Sequence, residues 1–282
     1  MTVRINKQKI NLREKLTEFE DKVNATQSLD ALVDTSRNID ITNLSTSGES
    51  IRNTGAIINN RFVPFGPHAR VLDLENTPVS GGGVDPDLKG FNGGFTDGRY
   101  GYFVPNRNSN TIYHGKIARV DLHDFSSVDV LDLTSTDSGL KGFYSGFTDG
   151  RYGYFVPHYN GAHHGKVARV DLNNFSDVDV LDLTNTDTTL KGFVGGFTDG
   201  RYGYFVPFSN DTGLFTGKIA RVDLNDFSSV DVLDLTSTDS GLQGFAGGFT
   251  DGRYGYFVPN RNSNTIYHGK IARIQLFNGG NY

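Results

Sequence analysis

The 282-residue sequence contains no cysteine and no tryptophan. The absence of cysteine excludes disulfide bonds, thiolate metal sites and cysteine catalysis together. Lysine and arginine form no run and the net charge is -5, so duplex nucleic acid, which is held through its phosphates, is not expected as a partner. A phosphate-binding loop, a nucleophile elbow and the helical zinc motif are also missing from the sequence.

Long apolar runs are lacking as well. No stretch approaches the roughly 18 apolar residues of a membrane-spanning helix, so we expect no membrane insertion. The first residues, MTVRINKQKINLREKL, have no apolar core of the kind found in signal peptides. We therefore expect synthesis in a host cytoplasm, with action outside the cell only after lysis or within a larger particle.

A twelve-residue string, GFTDGRYGYFVP, dominates what the sequence does contain. It occurs four times, with its first Phe at Phe95, Phe147, Phe197 and Phe249, at spacings of 52, 50 and 52 residues. A period near 50 residues is typical of propeller blades and other stacked repeats. Positions that are identical in every copy are expected to be scaffold, and function is expected where the copies differ.

Each repeat is predicted to form four antiparallel strands. In the second repeat these are residues 142–148, 152–156, 166–172 and 178–183. Asp149-Gly150 is a hairpin signal, because glycine accepts the positive φ of a tight turn. Pro157 ends the second strand, since it has no N–H to donate. Four strands in about 50 residues match one propeller blade.

The predicted fold is therefore an all-β β-propeller over residues 38–282, with five blades. Residues 39–47 align with 128–136, and the last copy stops after its third strand near residue 276, so an amino-terminal strand would close the ring. A degenerate unit at 56–64 and 69–74 brings the number of Phe-Val-Pro strings to five. Because residues 75–86 look like a loop, a four-bladed ring is the alternative.

Residues 1–37 are predicted to form a helical attachment or oligomerisation segment. Asn11 and Glu14 fit a helix N-cap and its return partner. An apolar stripe follows, formed by Leu12, Leu16, Phe19 and Val23. A helix this short is marginal alone, so the stripe is expected to pack on other copies, with a trimer favoured, on another protein or on its own domain.

Two resemblances bear on function. The string RINKQKINLREKLTE at residues 4–18 resembles the amino termini of appendage or tail-fibre proteins of tailed bacteriophages. That resemblance implies a virion protein attached to other virion proteins through residues 1–37, with a displayed distal domain. In blade number and repeat length, the repeats are similar to five-bladed lectin propellers, which implies carbohydrate binding.

The invariant positions are interpreted as scaffold. Asp97, Arg99, Tyr100 and their copies are expected to form the turn and to bond or stack on the next blade. The third-strand arginines are expected to form ion pairs between blades with the Asp or Gln two residues further on. These arginines are Arg119, Arg169, Arg221 and Arg273.

Candidate binding residues lie where the copies differ, in the loops at 106–115, 158–165, 208–217 and 260–269 and at one position of the first strand. Both regions are expected on one face of the propeller. The predicted ligand-binding residues are Arg107, Tyr113, His114, Tyr144, Tyr159, His163, His164, Phe208, Phe215, Arg261, Tyr267 and His268. Aromatic rings beside arginine, histidine and asparagine suit a sugar, whose apolar face the ring covers while its hydroxyls are hydrogen-bonded.

We therefore expect a non-enzymatic display protein that binds a surface glycan or receptor, without metal or cofactor. A metal site at His158, His163 and His164 would require converging ligands. A purely structural particle component is the alternative. A glycoside hydrolase is less favoured, because it requires a differently tuned pair of carboxylates and the acidic residues of the repeats recur in every copy. Outside the repeats only Glu49, Asp85 and Asp87 could contribute such a pair.

Overall fold

The computed structural model describes residues 2–5, 8–11, 69–210, 214–263 and 266–276. The chain divides into two compact units, Met1–Ala69 and Arg70–Tyr282. In the first unit, β1 (Thr2–Ile5) pairs antiparallel with β2 (Gln8–Asn11), a hairpin that the sequence analysis does not predict. The predicted apolar stripe of the helix, the strand at 39–47, most of the degenerate unit and the boundary at 37/38 lie outside the described residues.

The second unit contains four repeated antiparallel sheets, which we call blades 1 to 4. Blade 1 consists of β3 (Phe91–Thr96), β4 (Tyr100–Pro105), β5 (Lys116–Asp121) and β6 (Val128–Asp132). Blade 2 consists of β7 (Phe143–Thr148), β8 (Tyr152–Pro157), β9 (Lys166–Asp171) and β10 (Val178–Asp182). Blade 3 consists of β11 (Phe193–Thr198), β12 (Tyr202–Pro207), β13 (Lys218–Asp223) and β14 (Val230–Asp234). Blade 4 has β15 (Phe245–Thr250), β16 (Tyr254–Pro259) and β17 (Ala272–Gln275).

The prediction of an all-β chain built from four-stranded antiparallel repeats is confirmed. Each blade follows its strands in sequence order across the sheet. The fourth strand of blade 2 ends at Asp182, one residue earlier than predicted, because the Asp182 side chain accepts a hydrogen bond from the Thr184 backbone N–H at 3.0 Å. This contact caps a short 3-10 turn at Leu183–Asn185, and blades 1 and 3 have the same turn.

The repeated Asp-Gly-Arg-Tyr string forms the turn between the first two strands. In blade 2, Asp149 Oδ1 accepts from the backbone N–H groups of Arg151 and Tyr152 at 2.9 and 2.7 Å, and Oδ2 accepts from the Tyr154 hydroxyl at 2.8 Å. Gly150 has φ +97°, a region that glycine tolerates. The aspartate is therefore consumed by the turn, as a scaffold residue should be.

Neighbouring blades pack through their glycine-rich first strands. The Phe147 ring stacks on Tyr154 of its own blade at 5.1 Å and meets Phe205 of blade 3 edge-on at 5.7 Å. An ideal Cβ on Gly196 would lie 2.6 Å from this ring, so only glycine leaves room for it. The buried clusters each span two adjacent blades. The expectation that these glycines permit close approach of neighbouring strands is confirmed.

The predicted ion pairs between blades are wrong. Arg169 pairs with Asp179 at 2.5 Å and Arg151 pairs with Asp171 at 3.4 Å, both within blade 2. The reason is strand register: Arg169 lies directly opposite Asp179 on the neighbouring strand. The contact that does cross to the next blade is a cation–π contact, with Arg169 Cζ 4.3 Å from the centroid of the Phe227 ring.

Residues 69–74, expected to be strand-like, are irregular. Asp73 instead nucleates a turn, because its side chain accepts from the backbone N–H of Glu75 at 3.1 Å and from the side-chain amide of Asn76 at 2.8 Å. Val79 then forms a single parallel bridge to Val128 at the edge of blade 1. In the part of the chain that the structure describes, no helix is long and apolar enough to cross a membrane.

Candidate functional site

The variable loops and the connections into the first strands lie on one face of the repeats. In blade 2, the Tyr159 N–H donates to the Gly142 carbonyl at 3.0 Å, and the Gly142 N–H donates to the His114 carbonyl of the blade 1 loop at 3.2 Å. The same two bonds recur at Gly192 and Gly244. Each loop is therefore tied both to its own blade and to the blade that follows. We call this surface the loop face.

A glycine lies under a ring at each junction between loops. Tyr113 covers Gly142, His163 covers Gly192 and Phe215 covers Gly244, with ring carbons 2.7 to 3.0 Å from the position of an added Cβ. These glycines have φ values of +72°, +70° and +66°. Tyr113, His163 and Phe215 thus pack between blades and are only half-buried, so their outer edges still reach the surface.

The second histidine position points into the protein. His114 is 7% exposed and meets Phe91 edge-on at 5.6 Å, and His164 meets Phe143 in the same way at 5.8 Å. Burial lowers the pKa of His164 to about 4. His268, half-buried, has Nε2 2.9 Å from the Gln243 carbonyl oxygen. The structure therefore places these three predicted ligand-binding residues beneath the loops, where they pack on the first-strand phenylalanines.

Five rings from blades 1 and 2 form a continuous group, which we call the ring cluster. Its successive ring-centroid distances are 5.4 Å for Tyr113 and Tyr159, 5.2 Å for Tyr159 and His163, 5.3 Å for His163 and His158, and 4.9 Å for His158 and Tyr144. Tyr144 is the most exposed of these rings. The cluster joins three predicted loop residues to Tyr144 of the first strand, and it adds His158, which was considered only as a metal ligand.

The ring cluster is uncharged at neutral pH as far as His158 is concerned. Burial, with a smaller contribution from neighbouring His163, lowers the pKa of His158 to about 4. In the described residues, no group of three His, Cys, Asp or Glu side chains is placed to hold a metal ion. The arrangement offers flat apolar surface with polar edges.

Acidification is expected to destabilise the protein between pH 6.5 and 4, before most carboxylates titrate. A histidine whose pKa is lowered on folding binds more protons when unfolded, so stability is complete above about pH 6.5 and falls as the pH drops toward the folded value. With the pKa of His158 and of His164 at about 4, each should lose about 2 kcal/mol between pH 7 and 5. Thermal unfolding at the two pH values measures this loss.

The other repeats provide matched variants for this experiment. Asn106 occupies the position of His158, and Thr216 occupies that of His164. His158→Asn and His164→Thr should each remove about half of the pH-dependent drop in the thermal midpoint. His123→Asn, at an exposed position where blades 2 and 3 have asparagine, should leave it unchanged. A drop that persists in the double variant would contradict the assignment.

Blades 3 and 4 present a different combination on the same face. Phe208 and Phe215 meet edge-on at 5.2 Å, and Arg261 Cζ lies 5.8 and 5.6 Å from the two ring centroids. Arg261 is thus engaged by rings of the preceding loop, whereas Arg107 at the same position in blade 1 is exposed. Tyr267 in the blade 4 loop is also exposed.

The loop tips carry exposed aliphatic residues that sequence reasoning did not select. Ile112 and Ile266 are each 57% exposed, and Leu214 is 65% exposed. All three precede the ring position of their loop, and blade 2 has Ala162 there. Alignment of the four loops contains this signal, but the attention given to aromatic and polar side chains passed over it.

Comparisons with known proteins give a limited result. No protein-family model matches this chain, and no curated protein matches its sequence. It is similar to a solved structure described as dihydro-heme d1 dehydrogenase NirN in complex with DHE, with 18% identity, a TM-score of 0.39, and coverage of 63% of this chain and 36% of that one. It is also similar to Kuenenia stuttgartiensis hydrazine synthase, with 13% identity, a TM-score of 0.37, and coverage of 65% and 53%. The chain spans less than two thirds of either structure.

The expectation that this protein is not an enzyme is contradicted by these neighbours, because both are described as enzymes. That exclusion is withdrawn. At TM-scores of 0.39 and 0.37, the likeness assigns no reaction, substrate or cofactor to this chain.

Proposed function

We propose that this protein is a display component of a phage particle whose loop face binds a cell-surface glycan. The observation that supports the proposal most is the ring cluster of Tyr113, Tyr159, His163, His158 and Tyr144. It lies where the repeats differ in sequence, whereas the side chains common to all repeats are consumed by turns and by packing between blades. Variation confined to one loop-bearing face is typical of recognition surfaces.

The chemistry of the ring cluster suits a neutral or weakly charged sugar. The edges of half-buried tyrosines offer apolar surface to a pyranose ring, and their hydroxyls can hydrogen-bond its substituents. Exposed Arg107 of blade 1 provides charged donors on the same face. The low pKa of His158, about 4, keeps that imidazole neutral near pH 7, where it can accept or donate one hydrogen bond.

Attachment to the particle is part of the proposal and rests on the resemblance of residues 4–18 to phage appendage proteins. We propose that residues 1–37 bind other virion proteins, with trimerisation as the favoured assembly. The five-bladed ring closed by residues 39–47, and its four-bladed alternative, also remain predictions. Deleting residues 1–37 tests attachment, since a truncated protein that keeps its oligomeric state and still joins the particle would contradict it.

A purely structural role in the particle is the second candidate. It is favoured by the exposed aliphatic tips Ile112, Leu214 and Ile266, which a sugar site does not need. Apolar side chains presented together on one face are typical of protein contacts. In this case, binding by the loop face would depend on the tips and be indifferent to the ring cluster.

The two candidates are separated by a glycan array combined with variants taken from the repeats themselves. Tyr144→Val and Tyr159→Ser copy Val194 and Ser209 at the same positions in blade 3. Each is expected to weaken glycan binding by about 10-fold, since an aromatic contact contributes about 1 kcal/mol or more. Arg151→Ala, on the turn at the opposite end of the strands, is the control and should bind normally.

Failure would take a clear form. If the full-length protein binds no glycan, and if Tyr144→Val and Tyr159→Ser leave infectivity of the particle unchanged, the glycan proposal is wrong. Loss of particle assembly after Ile112→Ser or Leu214→Ser would then support the structural role.

A further inference from the structure

An arginine in the third strand of blades 1 to 3 lies over a tyrosine ring of its own blade. Arg119, Arg169 and Arg221 have Cζ 4.6, 4.5 and 4.5 Å from the centroids of Tyr100, Tyr152 and Tyr202. Each is also paired with an aspartate of the fourth strand at 2.5 or 2.6 Å. The guanidinium plane is therefore fixed, with one face on a ring and its charge neutralised.

At two of the three junctions, a phenylalanine from the next blade covers the other face. Phe175 of blade 2 lies 4.2 Å from Arg119 Cζ, and Phe227 of blade 3 lies 4.3 Å from Arg169 Cζ. The same rings approach Tyr102 and Tyr154 at 5.9 Å. Each phenylalanine belongs to the turn between the third and fourth strands, and together these groups form an aromatic slot between blades.

The filling of this slot outweighs an unfavourable backbone conformation. Phe227 has φ +49°, in the left-handed region that bulky residues avoid at a cost of about 1 to 2 kcal/mol. A glycine at this position would be relaxed but would provide no ring. The burial of Phe227, which is 6% exposed, provides the compensating energy.

The fourth repeat has glycine at this position. Leu224-Asn225-Asp226-Phe227 in the third repeat aligns with Leu276-Phe277-Asn278-Gly279 in the fourth. The corresponding junction, between blades 3 and 4, contains a cavity of about 360 Å³. Its lining residues are Tyr204, Ile219, Arg221, Asp231, Val232, Leu233, Ile274 and Gln275.

We propose that this cavity is a binding site for an aromatic side chain, a phenylalanine carried on a turn of a partner polypeptide. It has the parts that hold Phe175 and Phe227 at the other junctions: an arginine fixed by tyrosine and aspartate, a neighbouring tyrosine and aliphatic walls. Its volume exceeds the roughly 150 Å³ that accommodates a benzene ring. The Arg221–Asp231 pair, at 2.5 Å, leaves the site electrically balanced and so favours a neutral ring. Exposed Val232 and Leu233 form its mouth.

The test uses the full-length chain and two peptides. One copies residues 224–229, Leu-Asn-Asp-Phe-Ser-Ser, with blocked ends, and the other has alanine in place of the phenylalanine. Titration is followed through the NMR signals of the Val232 and Leu233 methyl groups. The Phe peptide is expected to shift these signals saturably, and the Ala peptide is expected to bind at least about 10-fold more weakly.

Two variants decide the source of the ring. Gly279→Phe restores the residue of the other repeats and is expected to abolish peptide binding, with a cooperative thermal transition as the check on folding. Phe277→Ala should bind the peptide as the unmodified chain does. Binding that appears only in Phe277→Ala would overturn the proposal and assign the slot to the protein's own carboxyl-terminal residues. Equal binding of both peptides, or none, would also overturn it.

Discussion

Gly192→Ala is expected to be among the most destabilising single substitutions in the chain, with a cost of at least about 3 kcal/mol. An ideal Cβ at this position would lie 1.7 Å from the Ser209 carbonyl oxygen and 2.9 Å from His163 Cδ2. The backbone must therefore move. Movement breaks the bonds from Ser209 N–H to Gly192 and from Gly192 N–H to His164, each contributing about 1 kcal/mol. The φ of +70° adds about 1 to 2 kcal/mol for any side chain.

Gly200→Ala is the matched control within the same blade. Gly200 has φ +97°, but an added Cβ would meet nothing within 4 Å. It should therefore lose only the conformational term, about 1 to 2 kcal/mol. Chemical denaturation of both variants measures the difference. Equal costs would mean that the loop face is not tied to the blades at Gly192 as the structure indicates.

The strands were predictable because their signals are local. Asp149-Gly150 fixes one turn and Pro157 ends a strand, and both act within a few residues. The partner of Arg169 was missed because it depends on register between strands. Counting outward across the loop between β9 and β10 places Arg169 opposite Asp179, a step that an argument from residues two apart does not take. The hairpin at Thr2–Asn11 was missed because the helical pattern that follows drew the interpretation.

The candidate site was predictable as a location but not as a set of exposed side chains. Tyr113 and His114 are adjacent in sequence, yet Tyr113 packs over Gly142 near the surface and His114 lies beneath the loop against Phe91. This difference is set by the next blade, whose glycine and first strand are about 30 residues away in sequence. Repetition reveals which positions vary, whereas only packing between blades reveals which varying side chains a ligand can reach.

Phe147→Ala is expected to cost about 3 to 5 kcal/mol, the usual range for a buried phenylalanine. The ring is 7% exposed, stacks on Tyr154 and fills the space above Gly196 and Gly203 of the next blade. Its loss leaves a cavity between two blades, because the strands on either side are held by their own ladders. The thermal midpoint should fall by roughly 6 to 20 °C for a unit of this size.

Phe249→Ala is the control that the repeats provide, and it also probes the outer face of blade 4. Phe249 occupies the position of Phe147 and stacks on Tyr256 at 5.2 Å, but it is 56% exposed. Its removal should cost less than about 1 kcal/mol, because little apolar surface is returned to water. A cost as large as that of Phe147→Ala would contradict this expectation. It would mean that a further blade covers Phe249, as the five-bladed ring predicted from the Phe-Val-Pro strings requires.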